Sequence, residues 1–307
     1  MLRKLFKNYI YPIATLAGSI IGVGFLSLPY ITIKVGIWAM LFYFAVLTMF
    51  IVFVHVIFAQ ISLKTPDHKR WPGFVGFYLG VGAKRIVLAL MTLGSFGILL
   101  VYLIIGGEFL TNIFAPIFGG SPLLYVLVYF AFASIFIYFG EKIIPKIDFL
   151  AISSLLAILL IILMKGFANI KIENIFTVQP MVNDFKTMFL PYGAIMFSLW
   201  GVGLIPEVEE MMQGNKKSFK KIIILGTLIP AVIYLIFIFL ILSITGNATT
   251  ESALTGLNNF LPQGVVWLAL FIGAITTFVG FIAEGLLLKK VFMYDARLPE
   301  FISWALV

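Results

Sequence analysis

Two stretches of this chain repeat one pattern at a constant offset of 179 positions. The first is Ser19-Ile20-Ile21-Gly22-Val23-Gly24-Phe25-Leu26, with Pro29 close behind; the second is Ser198-Leu199-Trp200-Gly201-Val202-Gly203-Leu204-Ile205, with Pro206 next. Each copy sits inside a long apolar run. Glycine costs about 1 kcal/mol and proline about 3 kcal/mol in a helix interior, so each copy marks a place where a helix breaks. A broken helix exposes N–H groups at the start of one half and carbonyls at the end of the other. The first end attracts an anion and the second a cation. A zwitterion carrying carboxylate and ammonium on one carbon matches both ends. Gly18 and Gly22 also form a G-x-x-x-G pair, which serves close helix packing instead.

The ionisable residues within apolar runs are few. Charges there are costly and mark functional positions. Glu108 lies near one end of its run; Glu207, Glu209 and Glu210 follow the second break; Glu284 lies five and six residues before Lys289 and Lys290. Glu207 and Glu284 are the deeper pair, suited to a gate or a proton site, or else to a salt bridge with a neighbouring lysine. Asp148 reads as an interfacial cap. Thr276 and Thr277 form an adjacent hydroxyl pair in mid-run, able to ligate a hard cation or to satisfy carbonyls of their own helix. The chain has no Cys and two His, His55 and His68, with no ligand spacing between them. Disulfides, thiolate metal sites and H-E-x-x-H hydrolysis are thereby excluded, and no cofactor is called for. His55 reads as a helix-packing residue. The Gly-rich stretch at 73–82 lacks the Lys-Ser/Thr of a phosphate loop.

These residues need helices in a bilayer to hold them. Of 307 residues, 62% are apolar and 11% charged, far from the soluble average. Eight runs are long enough to span: 9–33, 36–61, 86–110, 121–139, 147–164, 188–206, 222–246 and 264–288. They are too long for barrel strands. With the N-terminus in the cytoplasm, seventeen of the twenty-one Lys and Arg fall on the cytoplasmic side; only Lys34, Lys165, Lys171 and Lys186 fall outside. The net charge of +8 therefore reads as topology rather than nucleic-acid binding. The two breaks then lie in spans of opposite direction, the sign of an inverted-repeat transporter. The run from Phe301 to Val307 is too short to span and looks like the start of a ninth helix.

At these residues the chain resembles the amino acid/auxin permease family of the amino acid–polyamine–organocation superfamily. The stretches from Gly18 to Pro29 and from Pro191 to Glu210 carry the resemblance, with the lysine-rich loop and the Gly226–Pro230 helix start. It implies an all-α, leucine-transporter-like fold of five plus five spans, with spans 1 and 6 discontinuous. Residues 1–165 would be the first repeat and 187–307 an inverted second repeat lacking most of its fourth helix and all of its fifth. It implies a symporter of amino acids in the cell membrane, coupled to Na⁺ or H⁺, with no obligatory protein partner. The N–H groups of Gly22, Val23 and Gly24 would meet the carboxylate. Carbonyls near Ser19, and of Phe197 and Ser198, would meet the ammonium. Trp200 and Gly201 would border the side chain, with Trp200 otherwise facing lipid, and Tyr102 would be a lid. Gly18, Ile21, Thr276 and Thr277 would hold Na⁺, with Glu207 or Glu284 as the proton-coupled alternative. A non-transporting receptor of the same fold is the second reading.

Overall fold

The computed structural model describes residues 6–66, 69–139, 144–177, 185–212 and 216–307. His68 lies outside these, as do the side chains of Asp148 and Ser154. No strand occurs among the described residues. The main helices are α1 (Tyr11–Ile20), α2 (Leu28–Val35), α3 (Ile37–Lys64), α4 (Trp71–Phe118), α5 (Pro122–Phe139) and α6 (Ile144–Gly166), followed by α7 (Leu190–Leu199), α8 (Ile205–Met211), α9 (Phe219–Thr245), α10 (Gln263–Tyr294) and α11 (Glu300–Ala305).

Among the described residues, six helical stretches are long and apolar enough to cross a membrane, and the bent pair α1/α2 makes a seventh. The expected fifth span is α6, 23 residues long. The six-residue α11 is the short helix expected after Pro299. Spans 1 and 6 break where the repeated motif lies. α1 stops at Ile20, a 3-10 turn covers Gly24–Ser27, and α2 resumes at Leu28, with a 52° bend between the halves. α7 stops at Leu199, a 3-10 turn covers Val202–Leu204, and α8 resumes at Ile205. Proline stands in the first turn of both resumed helices, where its missing N–H costs nothing.

A short helix leads into the third span. α4 runs from Trp71 with one interruption at Gly80, whose φ of 84° and ψ of 175° only glycine adopts readily. Two packed groups result. α1, α2, α3, α7, α8 and α9 form one, and α4, α5 and α10 the other; α6 lies against both α1 and α10. α4 and α5 are largely exposed, with Leu90, Leu93, Ile104 and Phe132 facing outward, as lipid-facing helices must be. α10 is the most enclosed helix.

Candidate functional site

The two breaks face one another within the first group, at its seam with α4 and α10. A cavity of about 610 Å³ lies there. Ser19, Gly22, Val23 and Gly24 from the first break line it, with Phe197, Ser198, Trp200 and Gly201 from the second and Tyr102 from α4. The nine expected substrate residues, read from sequence, thus share one space. Trp200 lines the cavity and is 44% exposed. The rest of the wall is mostly apolar, and among the described residues Glu284 is its only acidic one.

Both breaks are built alike. Ser19 donates to the Thr15 carbonyl at 2.8 Å and Ser198 to the Ala194 carbonyl at 2.7 Å, each four residues back in the last turn before the break. The breaks touch: a Cβ on Gly201 would stand 2.5 Å from Cγ1 of Ile20, and one on Gly24 would stand 2.6 Å from Oγ of Ser198. Glycine is required here for close approach, since neither residue has positive φ.

Tyr234 of α9 carries no signal of its own in the sequence, where it reads as one tyrosine among many. It is fully buried, and its hydroxyl lies 2.9 Å from the Ile20 carbonyl and 3.1 Å from the Ser198 carbonyl. One donor therefore serves both half-helix ends. Phe25 stacks on its ring at 5.1 Å between centroids. Tyr102 is buried rather than held clear of the cavity. A Cβ on either Gly22 or Gly280 would collide with its hydroxyl.

The acidic residues separate clearly. Glu207 pairs with Lys290 at 2.9 Å and lies 3.7 Å from Arg70. Arg70 also bonds Glu210 at 2.9 Å, and Ser62 donates to Glu209. This network ties α8 to the ends of α3 and α10 and the start of α4. Glu284 has a different setting. Among the described residues no basic side chain pairs with it; Ser95 of α4 lies beside it in the cavity wall.

Thr276 and Thr277 lie elsewhere. Their hydroxyls donate to Ile272 and Ala274 of their own helix, both at 2.9 Å. They border a separate void of about 10 Å³, walled by Gly22, Phe25 and Leu26 of the first break, by Leu254, and by apolar side chains of α6, α9 and α10, among them Leu155, Ile158 and Phe237. Gly18 and Ile21 are buried but do not border it. Ser153 is exposed and is not part of this wall.

The sequence profile described as "Transmembrane amino acid transporter protein" matches residues 8–283. The chain belongs to the transmembrane amino acid transporter family. It is a membrane protein of a transporter family, not of an enzyme family. Curated relatives include Glutamine transporter 2 of Aliivibrio fischeri, 26% identical over 77% of this chain and 60% of that protein. Another is Tyrosine-specific transport system 1 of Haemophilus influenzae, 22% identical over 72% of this chain and 54% of that one. The chain thus spans between half and two thirds of their length. Among solved structures, the nucleobase-cation-symport-1 family transporter Mhp1, closed with bromovinylhydantoin bound, superposes with a TM-score of 0.72 at 12% identity, over 96% of this chain and 69% of that one. MhsT in complex with L-phenylalanine superposes with a TM-score of 0.54 at 15% identity, over 96% of this chain and 76% of that one. The fold of this family member is accordingly the leucine-transporter-like one.

Proposed function

We propose that this chain binds an α-amino acid between the broken spans and carries it across the cell membrane by alternating access. One observation carries the reading: main chain from both breaks and Tyr102 converge on one cavity of a size that suits a small molecule. The carboxylate sits at the first break, where the start of α2 offers its dipole, and it meets the Tyr102 hydroxyl. The ammonium sits at the ends of α1 and α7. The side chain lies against Trp200, Phe197, Met91 and Ile98. Residues 1–165 and 187–307 are the two inverted repeats.

The N-terminus is cytoplasmic in this proposal, and the cavity reaches toward that side, where Trp71, Val87 and Leu287 line it. Cysteine introduced at Thr111 or Asn258 should react with an impermeant thiol reagent in intact cells. Cysteine at Lys217 should react only after permeabilisation. Labelling of the Lys217 position in intact cells would reverse the orientation. The Arg70–Glu207–Lys290 cluster then closes the inner end and must part for release.

Coupling to an ion is the finer part of the proposal. Thr276 and Thr277 keep their oxygen lone pairs after donating, so Na⁺ beside them remains one reading. The lone carboxyl of Glu284 inside the substrate cavity favours the other, in which the coupled ion is a proton. Uptake of each of the twenty amino acids into proteoliposomes, under an imposed Na⁺ or pH gradient, tests transport and coupling together. Accumulation of a substrate supports the transporter. Binding without uptake supports a receptor of the same fold.

A further inference from the structure

His55 of α3 is fully buried, and both of its ring nitrogens are bonded. Nε2 lies 3.2 Å from the backbone nitrogen of Gly201, and Nδ1 lies 2.8 Å from Oγ1 of Thr227 in α9. The Thr227 hydroxyl donates to the Ile223 carbonyl at 2.9 Å. This relay has one direction. A backbone N–H only donates, so Nε2 must offer its lone pair. Nδ1 then carries the ring proton and gives it to Thr227, whose own proton is already committed to Ile223. The ring is held neutral, in one tautomer.

Gly201 matters because it lies in the second break. Its N–H is freed where α7 ends, and a buried unmet N–H in an apolar setting is costly. No helical carbonyl meets it; His55 does. The same ring stands edge-on to Trp200, with centroids 6.2 Å apart. Gly201 and Trp200 both line the cavity, which His55 does not touch.

We infer that His55 is a positioning residue for substrate: by accepting one hydrogen bond it fixes the Trp200–Gly201 segment, and Thr227 sets the tautomer that lets it accept. The inference rests on the proposed amino acid site. Its sharpest consequence is an asymmetry between two amide replacements. Glutamine carries its amide about where Nε2 stands and keeps an acceptor for Gly201. Asparagine is shorter, reproduces the Nδ1 side, and reaches only Thr227.

Amino acid affinity is measured by titration calorimetry on the purified protein, using the tightest ligand of the wild type, with thermal unfolding followed in parallel. His55→Gln is expected to bind within about threefold of wild type and His55→Asn about tenfold more weakly or worse, as loss of one net hydrogen bond implies. A residue that only fills space would show no such order. Equal affinities for the two variants overturn the inference. Should the asparagine variant not fold, Thr227→Val decides: weaker binding at an unchanged melting temperature supports the relay, and wild-type affinity overturns it. Nitrogen-15 spectra of histidine-labelled protein give an independent readout, with His68→Gln removing the other signal. A neutral ring protonated on Nδ1 is expected, and protonation on Nε2 alone overturns the relay. A wild type that binds none of the twenty amino acids removes the proposed site, and this inference with it.

Discussion

Gly24→Leu is expected to abolish amino acid binding while the protein still inserts and migrates as a monodisperse species in detergent. A Cβ at this position would stand 2.6 Å from Oγ of Ser198 and 2.7 Å from Cδ1 of Phe197, both on the last turn of α7. Leucine adds three further carbons in the same direction. Ser198 has little room to yield, because it is buried and tied to Ala194, Phe197 can yield only into the cavity itself, and overpacking a tight contact costs about 1–3 kcal/mol or more. The strain falls on the seam between the two breaks, so the proposed ligand site takes the displacement. Gly193→Leu serves as the control. It lies on α7, where an added Cβ would meet nothing within 4 Å, and its affinity should stay within about twofold of wild type. Titration of both variants with the wild-type ligand checks the pair. Unchanged affinity in Gly24→Leu would remove the first break from the site.

Glu284→Gln is expected to abolish the pH dependence of substrate binding and to convert concentrative uptake into simple equilibration. An ionised Glu284 and a bound carboxylate would share one cavity. At an effective dielectric of about 20, two such charges about 8 Å apart repel by about 2 kcal/mol, roughly thirtyfold in affinity. Substrate therefore binds better to the protonated form, and by reciprocity its binding raises the proton affinity of the carboxyl. Wild-type affinity should fall as pH rises through the titration of Glu284. The glutamine variant, neutral throughout, should hold its low-pH affinity at alkaline pH. Affinity measured across pH, with and without Na⁺, checks this. If wild-type affinity ignores pH but follows Na⁺, and Thr276→Ala or Thr277→Ala removes that dependence, the sodium reading replaces the proton one.

The breaks were legible because they are local. Glycine and proline act on the helix that contains them, and repetition at a fixed offset links Ser19 to Ser198 without knowledge of the fold. The spans were legible for a similar reason, since length and apolarity are properties of one segment. What the chain does not announce is long-range pairing. Tyr234 reaches two carbonyls 214 and 36 residues away in sequence. His55 meets an amide 146 residues away, and reads as a helix-packing residue until that partner is known. Glu207 and Glu284 look alike in sequence, each a carboxylate near the lysine-flanked end of a span. Only the arrangement of α8, α10 and the start of α4 gives Glu207 two cations and leaves Glu284 with a serine.

The pairing of two interrupted helices bears on how such a protein can diversify. In the proposed site, the parts that every α-amino acid has in common are met by main-chain amides and carbonyls. Side chains such as Trp200, Met91 and Ile98 meet the part that differs. Mutation changes side chains directly but alters peptide groups only by bending the chain that bears them. Substitutions along α4 and at Trp200 can therefore shift ligand preference in small steps while the shared recognition persists, whereas substitutions at Gly24 or Gly201 remove both together.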